Sequence, residues 1–159
     1  MMMNKEIIKI DNKLFEELVN TARKSTCCRS KCGSIIVKNG RVIGIGYNSQ
    51  PCDIVSECFK DDLDKEFKSD KTCCIHAEQR AIFEALKYNP RDILNSTLFF
   101  IRLDENNNPK HSGDPYCTIC SKMALDVGVS NFVLWHKEGW TSYETDYYNK
   151  LSFKIYEKI

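Results

Sequence analysis

The sequence has almost no excess charge of either sign, since 23 Lys and Arg residues stand against 22 Asp and Glu residues for a formal net charge of +1. A chain this balanced has no broad electrostatic attraction for nucleic acid or anionic lipid, so a nucleic-acid partner would need a local basic patch. The sequence also lacks any run of about 18 apolar residues, and its amino-terminal segment lacks the uninterrupted apolar stretch of a secretory signal. We therefore expect a cytoplasmic protein with no membrane partner.

Cysteine, by contrast, is abundant, with nine residues in a chain of 159. The cysteines lie in four close groups, with the sequences CCRSKC, CDIVSEC, CC and CTIC. An odd number of grouped cysteines in a reducing compartment favours metal coordination over a disulfide framework. Zinc is the metal that this composition favours most.

Residues 1–159 are predicted to form one domain, because a chain of this length with 42% hydrophobic residues can bury one core. Hydrophobic periodicity predicts its helices and strands. Apolar spacing predicts helices over 12–24, 76–88 and 117–129, a hairpin over 33–48 that turns at Asn39-Gly40, and strands over 96–103 and 131–135. The polar segment 49–72 is predicted to be a long loop or a short irregular helix. Residues 141–159 are predicted to form a last amphipathic helix.

Two segments combine residue types that bind zinc and move protons. Cys117 and Cys120 are three positions apart at a predicted helix start, where both sulfurs can face one ion and unpaired amides favour thiolates. Alone, this pair could also be a redox pair or two buried structural cysteines. His76 adds an imidazole, and one imidazole with two thiolates leaves a fourth zinc position open for water, as in catalytic sites. Glu78 then supplies a carboxylate able to take a proton from that water.

The segments HAEQRAI and PYCTIC make the chain resemble the cytidine and deoxycytidylate deaminase superfamily, whose signature is His-x-Glu followed by Pro and Cys-x-x-Cys. The segment STCCRSKCGSIIVKNGRVIGIGYNSQP is similar to the deoxycytidylate deaminase pattern. The resemblance implies a three-layer α/β/α sandwich with a central mixed sheet of about five strands, assembled as a homo-oligomer. It also implies zinc-dependent hydrolytic deamination of a cytosine-containing nucleotide, with dCMP converted to dUMP and ammonia.

The same resemblance implies roles for individual residues. His76, Cys117 and Cys120 are expected to hold a catalytic zinc ion, and Glu78 is expected to be the general acid and base. Substrate-binding roles are implied for three more residues, namely Asn48 toward the sugar, Arg29 toward the phosphate and Ala77 toward the base through its backbone. A second, structural zinc is implied near Cys27 or Cys28, Cys58, and Cys73 or Cys74, unless these cysteines are reduced thiols that pack as small apolar groups.

Three features of the sequence depart from the family pattern. Tyr116 separates the usual Pro from Cys117, the segment RLDENNNPKHSGD is inserted before that motif, and Arg80 stands where Asn is common. The inserted residues are expected at the mouth of the pocket, where they could change the choice of substrate. A deaminase of another nucleobase or nucleoside, such as cytidine or guanine, therefore stays open, as does a nucleic-acid-editing deaminase. A non-catalytic zinc-stabilised binding module also stays open, although such a module has no need of Glu78.

Overall fold

A computed structural model of the chain describes residues 4–55, 58–59, 62–64 and 73–154. The predicted loop 49–72 and the end of the predicted helix 141–159 therefore lie partly outside the described residues. The helices of the described part are α1 (Asn12–Arg23), α2 (Ala77–Tyr88), α3 (Thr118–Val127) and α4 (Thr145–Lys154). The strands are β1 (Lys5–Ile8), β2 (Cys32–Lys38), β3 (Arg41–Tyr47), β4 (Thr97–Leu103), β5 (Pro109–Lys110), β6 (Asn131–His136) and β7 (Gly139–Glu144). No helix in this part of the chain is long and apolar enough to cross a membrane.

The seven strands form one mixed sheet with the order β1-β7-β6-β4-β2-β3, and β5 pairs with β4. Strands β4 and β6 run parallel, and the other pairs are antiparallel. The predicted mixed sheet is confirmed, but the expected number of about five strands is too low. Sequence reasoning missed β1, whose charged and exposed residues show no apolar alternation, and β5, which is only two residues long.

The prediction for the last segment was wrong at its beginning, because residues 141–144 continue β7 and α4 begins only at Thr145. Strand β7 pairs with β6 on one edge and with β1 on the other. Trp140 and Tyr143 of this strand are buried. Pairing on both edges thus decides the conformation of a segment whose aromatic spacing also fits a helix.

Helices cover both faces of the sheet, which confirms the predicted three-layer α/β/α sandwich. On one face, Leu18 of α1 packs in a buried cluster with Ile35 of β2. On the other face, one buried cluster joins the remaining helices to the sheet through Ile82, Ala124 and Tyr148. The predicted hairpin between β2 and β3 is also confirmed, and its two turn residues have the positive φ angles of a type I′ turn, 50° at Asn39 and 76° at Gly40.

Helix α2 lies directly on β3 because glycine occupies two inward positions of that strand. A Cβ atom at Gly44 would lie 2.3 Å from the carbonyl oxygen of Ala81, and one at Gly46 would lie 2.2 Å from the carbonyl oxygen of Ala77. Both neighbours are backbone atoms of α2, so they cannot turn aside as a side chain can. The two glycines therefore fix how closely the first turns of α2 approach the sheet.

Replacing Gly46 by alanine is expected to lower the melting temperature, since α2 must shift to accept the added methyl group. Overpacking of this kind costs about 1–3 kcal/mol, which corresponds to roughly 2–4 °C per kcal/mol in a chain of this size. Differential scanning calorimetry measures the change. Gly113→Ala is the matched control, because a Cβ atom at Gly113 would meet nothing within 4 Å. Equal melting temperatures for the Gly46→Ala variant and the unsubstituted chain would contradict the tight approach.

Candidate metal centre and substrate pocket

The candidate metal centre forms where two helices begin. His76 is the N-cap residue of α2, and Cys117 is the N-cap residue of α3. Helix α2 leads into β4, and α3 connects β4 to the parallel strand β6. Both helix N-termini consequently lie near the carboxyl end of β4, the edge of a parallel sheet where ligand sites usually form. The positive ends of the two helix dipoles therefore point toward one place.

The three predicted metal ligands are in direct contact. Nδ1 of His76 lies 3.2 Å from Sγ of Cys120 and 3.3 Å from Sγ of Cys117, and the two sulfurs are 2.9 Å apart. The ligand atoms of these residues and of Glu78 all lie within 4.8 Å of one another. An imidazole nitrogen and two sulfurs are the donor types that zinc prefers, and the carboxylate of Glu78 is close enough to act beside them.

The protonation of the two thiols also fits a cationic ligand. The pKa of Cys117 is lowered to about 5, chiefly because its sulfur accepts a hydrogen bond from Cys120, with a further contribution from His76. The backbone N–H of Cys120 donates to the same sulfur at 3.3 Å. The pKa of Cys120 is raised, because this thiol holds the proton that the pair shares and because it is buried. The lowered pKa of Cys117 favours the thiolate, the form of cysteine that binds metals.

Glu78 is buried on the first turn of α2, with only 6% of its surface exposed. Burial raises the pKa of its carboxyl group, and the negative charge of Cys117 raises it further. A buried carboxyl group whose pKa is raised is suited to taking up and releasing protons during a reaction.

A pocket of about 320 Å³ opens beside this cluster. Its wall includes the three residues predicted to bind the substrate, which are Arg29, Asn48 and Ala77. The pocket also contains side chains that sequence reasoning did not assign, including Phe100, Arg102, Ser112 and Tyr148. The volume lies in the range of small-molecule sites. Of these residues, only Arg102 left a signal in the sequence, as a single charge within the apolar strand segment STLFFIRL.

Asn48 has a definite structural task in the pocket wall. Its Oδ1 accepts a hydrogen bond from the backbone N–H of Cys32 at 2.7 Å, and its Nδ2 donates to the backbone carbonyl of Ser30 at 2.7 Å. The side chain therefore fixes the segment that leads into β2. An amide has a further donor hydrogen and a further acceptor lone pair, so these contacts leave capacity for a sugar hydroxyl.

Four of the five cysteines considered for a second zinc line the pocket, namely Cys27, Cys58, Cys73 and Cys74, whereas Cys28 is exposed elsewhere. The pKa of Cys74 is raised to about 11, first by burial and then by the neighbouring thiols of Cys27, Cys58 and Cys73. These thiols are thus near neighbours. Within the ranges that the structure describes, however, they do not form a second group of three ligand atoms as tight as the first. The second zinc stays a prediction.

Arg80, which departs from the family pattern, is not part of the pocket wall. Its Nη1 forms an ion pair with Asp53 at 3.2 Å, its Nη2 donates to the backbone carbonyl of Gln50 at 2.8 Å, and its guanidinium lies 5.6 Å from the ring centre of Tyr47. Hydrogen bonds from Ser49 and Tyr47, together with the charge of Arg80, lower the pKa of Asp53. Arg80 therefore ties the turn after β3 to the first turns of α2.

The inserted segment is more regular than expected. Its residues Pro109 and Lys110 pair with Leu103 and Arg102 at the end of β4, and the backbone N–H of Ser112 donates to the carbonyl of Trp135 at 2.8 Å. The insertion thus extends the sheet next to the pocket and contributes Ser112, Gly113 and Asp114 to its wall. The expected location at the pocket is correct, and the chain reaches the pocket directly after the short strand β5.

Comparisons with known proteins agree with this geometry. The chain is similar to the deoxycytidylate deaminase of Saccharomyces cerevisiae, with 31% identity over 117 residues, which cover 70% of this chain and 33% of that protein. It is 29% identical over 121 residues to the deoxycytidylate deaminase of Mycobacterium phage D29, covering 70% of this chain and 83% of that one. A crystal structure of dCMP deaminase from the cyanophage S-TIM5, in complex with dCMP and dUMP, matches with 28% identity and a TM-score of 0.51, covering 78% of this chain and 82% of that one.

The chain spans only about a third of the length of the yeast deoxycytidylate deaminases that it matches, 33% and 38%. A family model described as the cytidine and deoxycytidylate deaminase zinc-binding region matches residues 8–136. This range includes both helix starts and all four residues of the cluster. Zinc is accordingly the cofactor of this centre. The chain belongs to the cytidine and deoxycytidylate deaminase family.

Proposed function

We propose that this protein catalyses the zinc-dependent hydrolytic deamination of a cytosine-containing nucleotide, with dCMP as the preferred substrate and dUMP and ammonia as products. The observation that carries the proposal is the position of Glu78, a buried carboxyl group with a raised pKa, among His76, Cys117 and Cys120 at the edge of a pocket. Relatives whose names specify deoxycytidylate, together with the dCMP and dUMP complex of the cyanophage enzyme, support the choice of substrate.

In this mechanism His76, Cys117 and Cys120 would hold the zinc. The metal supplies, when bound, the Lewis acidity that makes a water molecule nucleophilic near neutral pH. The carboxylate of Glu78 takes the two protons of the attacking water in turn and delivers one to the ring nitrogen and the other to the departing amine of the cytosine. Burial of Glu78 keeps its proton exchange within the pocket and away from bulk solvent. One water is consumed, and ammonia leaves as the amino group becomes a carbonyl.

Each part of the nucleotide is assigned to a residue that lines the pocket. The backbone at Ala77, next to Glu78, faces the polar edge of the base, Asn48 faces the sugar, and Arg29 faces the phosphate. Residues from separate segments are needed because these three parts of a nucleotide extend away from the reacting carbon. The homo-oligomer expected from the family belongs to the same proposal.

A substrate panel tests the proposal. The zinc-loaded chain is incubated with dCMP, CMP, deoxycytidine, cytidine, guanine and single-stranded DNA, and products are separated by chromatography. We expect kcat/KM for dCMP to exceed that for deoxycytidine by at least about 10-fold, the lower end of the effect of one hydrogen bond to a charged group. Conversion of guanine or DNA in preference to dCMP would contradict the substrate, and equal rates on dCMP and deoxycytidine would contradict recognition of the phosphate.

A further inference from the structure

The pocket wall contains two buried polar atoms that make no hydrogen bond in the described structure. They are Nε of Arg102, near the end of β4, and Oγ of Ser112, which follows β5. Both residues line the pocket. Polar atoms of a folded protein are rarely buried without a partner, because the lost hydration costs free energy that only a hydrogen bond returns. Two such atoms in one wall therefore indicate a ligand that supplies acceptors.

The pairing of β5 with β4 brings these two residues to the same pocket wall. Arg102 is opposite Lys110 in the pair formed by β4 and β5, and Ser112 follows Lys110 by two residues. Beyond β5, the backbone N–H of Ser112 donates to the carbonyl of Trp135 in β6, which holds this residue against the neighbouring strand. The insertion is thus the element that brings the Ser112 hydroxyl into the same pocket wall as the Arg102 guanidinium.

The chemistry of this wall suits an anion. A guanidinium carries a permanent charge and presents planar donors that match phosphate oxygens, and a serine hydroxyl adds a further donor. Nη2 of Arg102 is 3.5 Å from Oγ of Ser30, a distance at the limit of a hydrogen bond, so this neighbour holds the guanidinium only weakly. Asp114 also lines the pocket, but its carboxylate is exposed to solvent.

The location of Arg102 indicates which part of the substrate it meets. Arg102 is opposite Cys32 in the pair formed by β4 and β2, and Asn48 holds the backbone of Cys32. Arg102 therefore lies beside the segment of Arg29 and Asn48, the residues proposed for phosphate and sugar. The reacting edge of the base must instead lie next to Glu78.

We propose that Arg102 and Ser112 form a binding site for the phosphate monoester of the nucleotide, a site that the insertion between β4 and α3 completes. This inference rests on the proposed function for the identity of the nucleotide. Phosphate recognition thereby acquires a second guanidinium in addition to Arg29, and the inserted segment becomes a determinant of specificity for nucleotides over nucleosides.

The test compares dCMP with deoxycytidine as substrates of the zinc-loaded full chain. Arg102→Gln is expected to lower kcat/KM for dCMP by about 10-fold to 100-fold and to leave kcat/KM for deoxycytidine within about 3-fold. Ser112→Ala, which removes only the hydroxyl, is expected to lower kcat/KM for dCMP by about 3-fold to 10-fold. Arg41→Gln removes the same charge at an exposed ion pair with Asp92, outside the pocket wall, and is the control expected to change neither value.

Equal losses of kcat/KM on dCMP and on deoxycytidine would show that Arg102 only supports the fold, and this result would overturn the phosphate site. Unchanged kcat/KM values for both the Arg102→Gln and the Ser112→Ala variants would also overturn it. The proposed function is judged separately, from the turnover of the unsubstituted chain. If that chain deaminates neither compound, calorimetry with dUMP and deoxyuridine decides. Tighter binding of dUMP that Arg102→Gln or Ser112→Ala reduces still supports the phosphate site, and absence of any preference for dUMP overturns it.

Discussion

Replacing Glu78 by glutamine is expected to reduce kcat on dCMP by about 10²-fold to 10⁴-fold, the usual contribution of a positioned general acid and base. Glutamine has nearly the same shape as glutamate and can still form hydrogen bonds, but it cannot take a proton from water. The proposed metal ligands are His76, Cys117 and Cys120, so the substitution removes none of them. Zinc content should therefore stay the same, as measured by atomic emission on the purified protein.

The stability of the same variant provides an independent check. Burial is the largest cause of the raised pKa of Glu78, so the folded state disfavours the ionised form of this carboxyl group. Glutamine removes the cost of burying this charge, so the melting temperature of the Glu78→Gln variant should be at least that of the unsubstituted chain. Glu105→Gln, at an exposed position of the insertion, is the matched control and should alter neither turnover nor stability. Turnover close to that of the unsubstituted chain would remove Glu78 from the mechanism.

The sequence predicts the metal cluster well because the relevant signals are local. His76 and Cys117 each precede an apolar helical pattern, which predicts that each lies at the N-terminus of a helix. The structure has them as the N-cap residues of α2 and α3. The convergence of the two helix starts is a property of the fold. It arises because β4 and β6 run parallel and α3 crosses between them, which brings residues 41 positions apart into contact.

The pocket wall is less predictable, because its residues depend on pairing between distant strands. Ser112 reaches the pocket only because β5 joins the end of β4, and a two-residue strand in a polar segment has no periodicity that could indicate it. Arg80 presented the opposite difficulty. The sequence shows only that Arg80 stands where Asn is common in the family, whereas the structure shows that the helical rotation from Glu78 to Arg80 directs its side chain to Asp53 and the turn after β3. The residue type at a motif position thus predicts which chemistry the side chain can perform better than it predicts which residues the side chain contacts.

Replacing Cys120 by serine is expected to abolish stoichiometric zinc binding and, with it, turnover. Cys120 is completely buried, and its sulfur contacts both His76 and Cys117. A serine hydroxyl is a poor zinc ligand in comparison with a thiolate, and the two remaining residues cannot complete a tetrahedral site. A zinc ion held by His76, Cys117 and Cys120 would connect the N-termini of α2 and α3, so its loss would also remove binding free energy that contributes to folding. The melting temperature should fall together with the zinc content.

The matched control for this substitution is Cys52→Ser, since Cys52 is an exposed cysteine outside the pocket wall. Counting zinc in the three proteins also tests the predicted second zinc. One zinc per chain in the Cys52→Ser variant and none in the Cys120→Ser variant would mean that Cys27, Cys58, Cys73 and Cys74 are unligated thiols. Two zinc ions per chain in the Cys52→Ser variant and one in the Cys120→Ser variant would mean that these four cysteines hold a metal independently of the catalytic centre. Full zinc content and full activity in the Cys120→Ser variant would contradict the role of Cys120, because no other described cysteine lies close enough to His76 and Cys117 to replace it in the cluster.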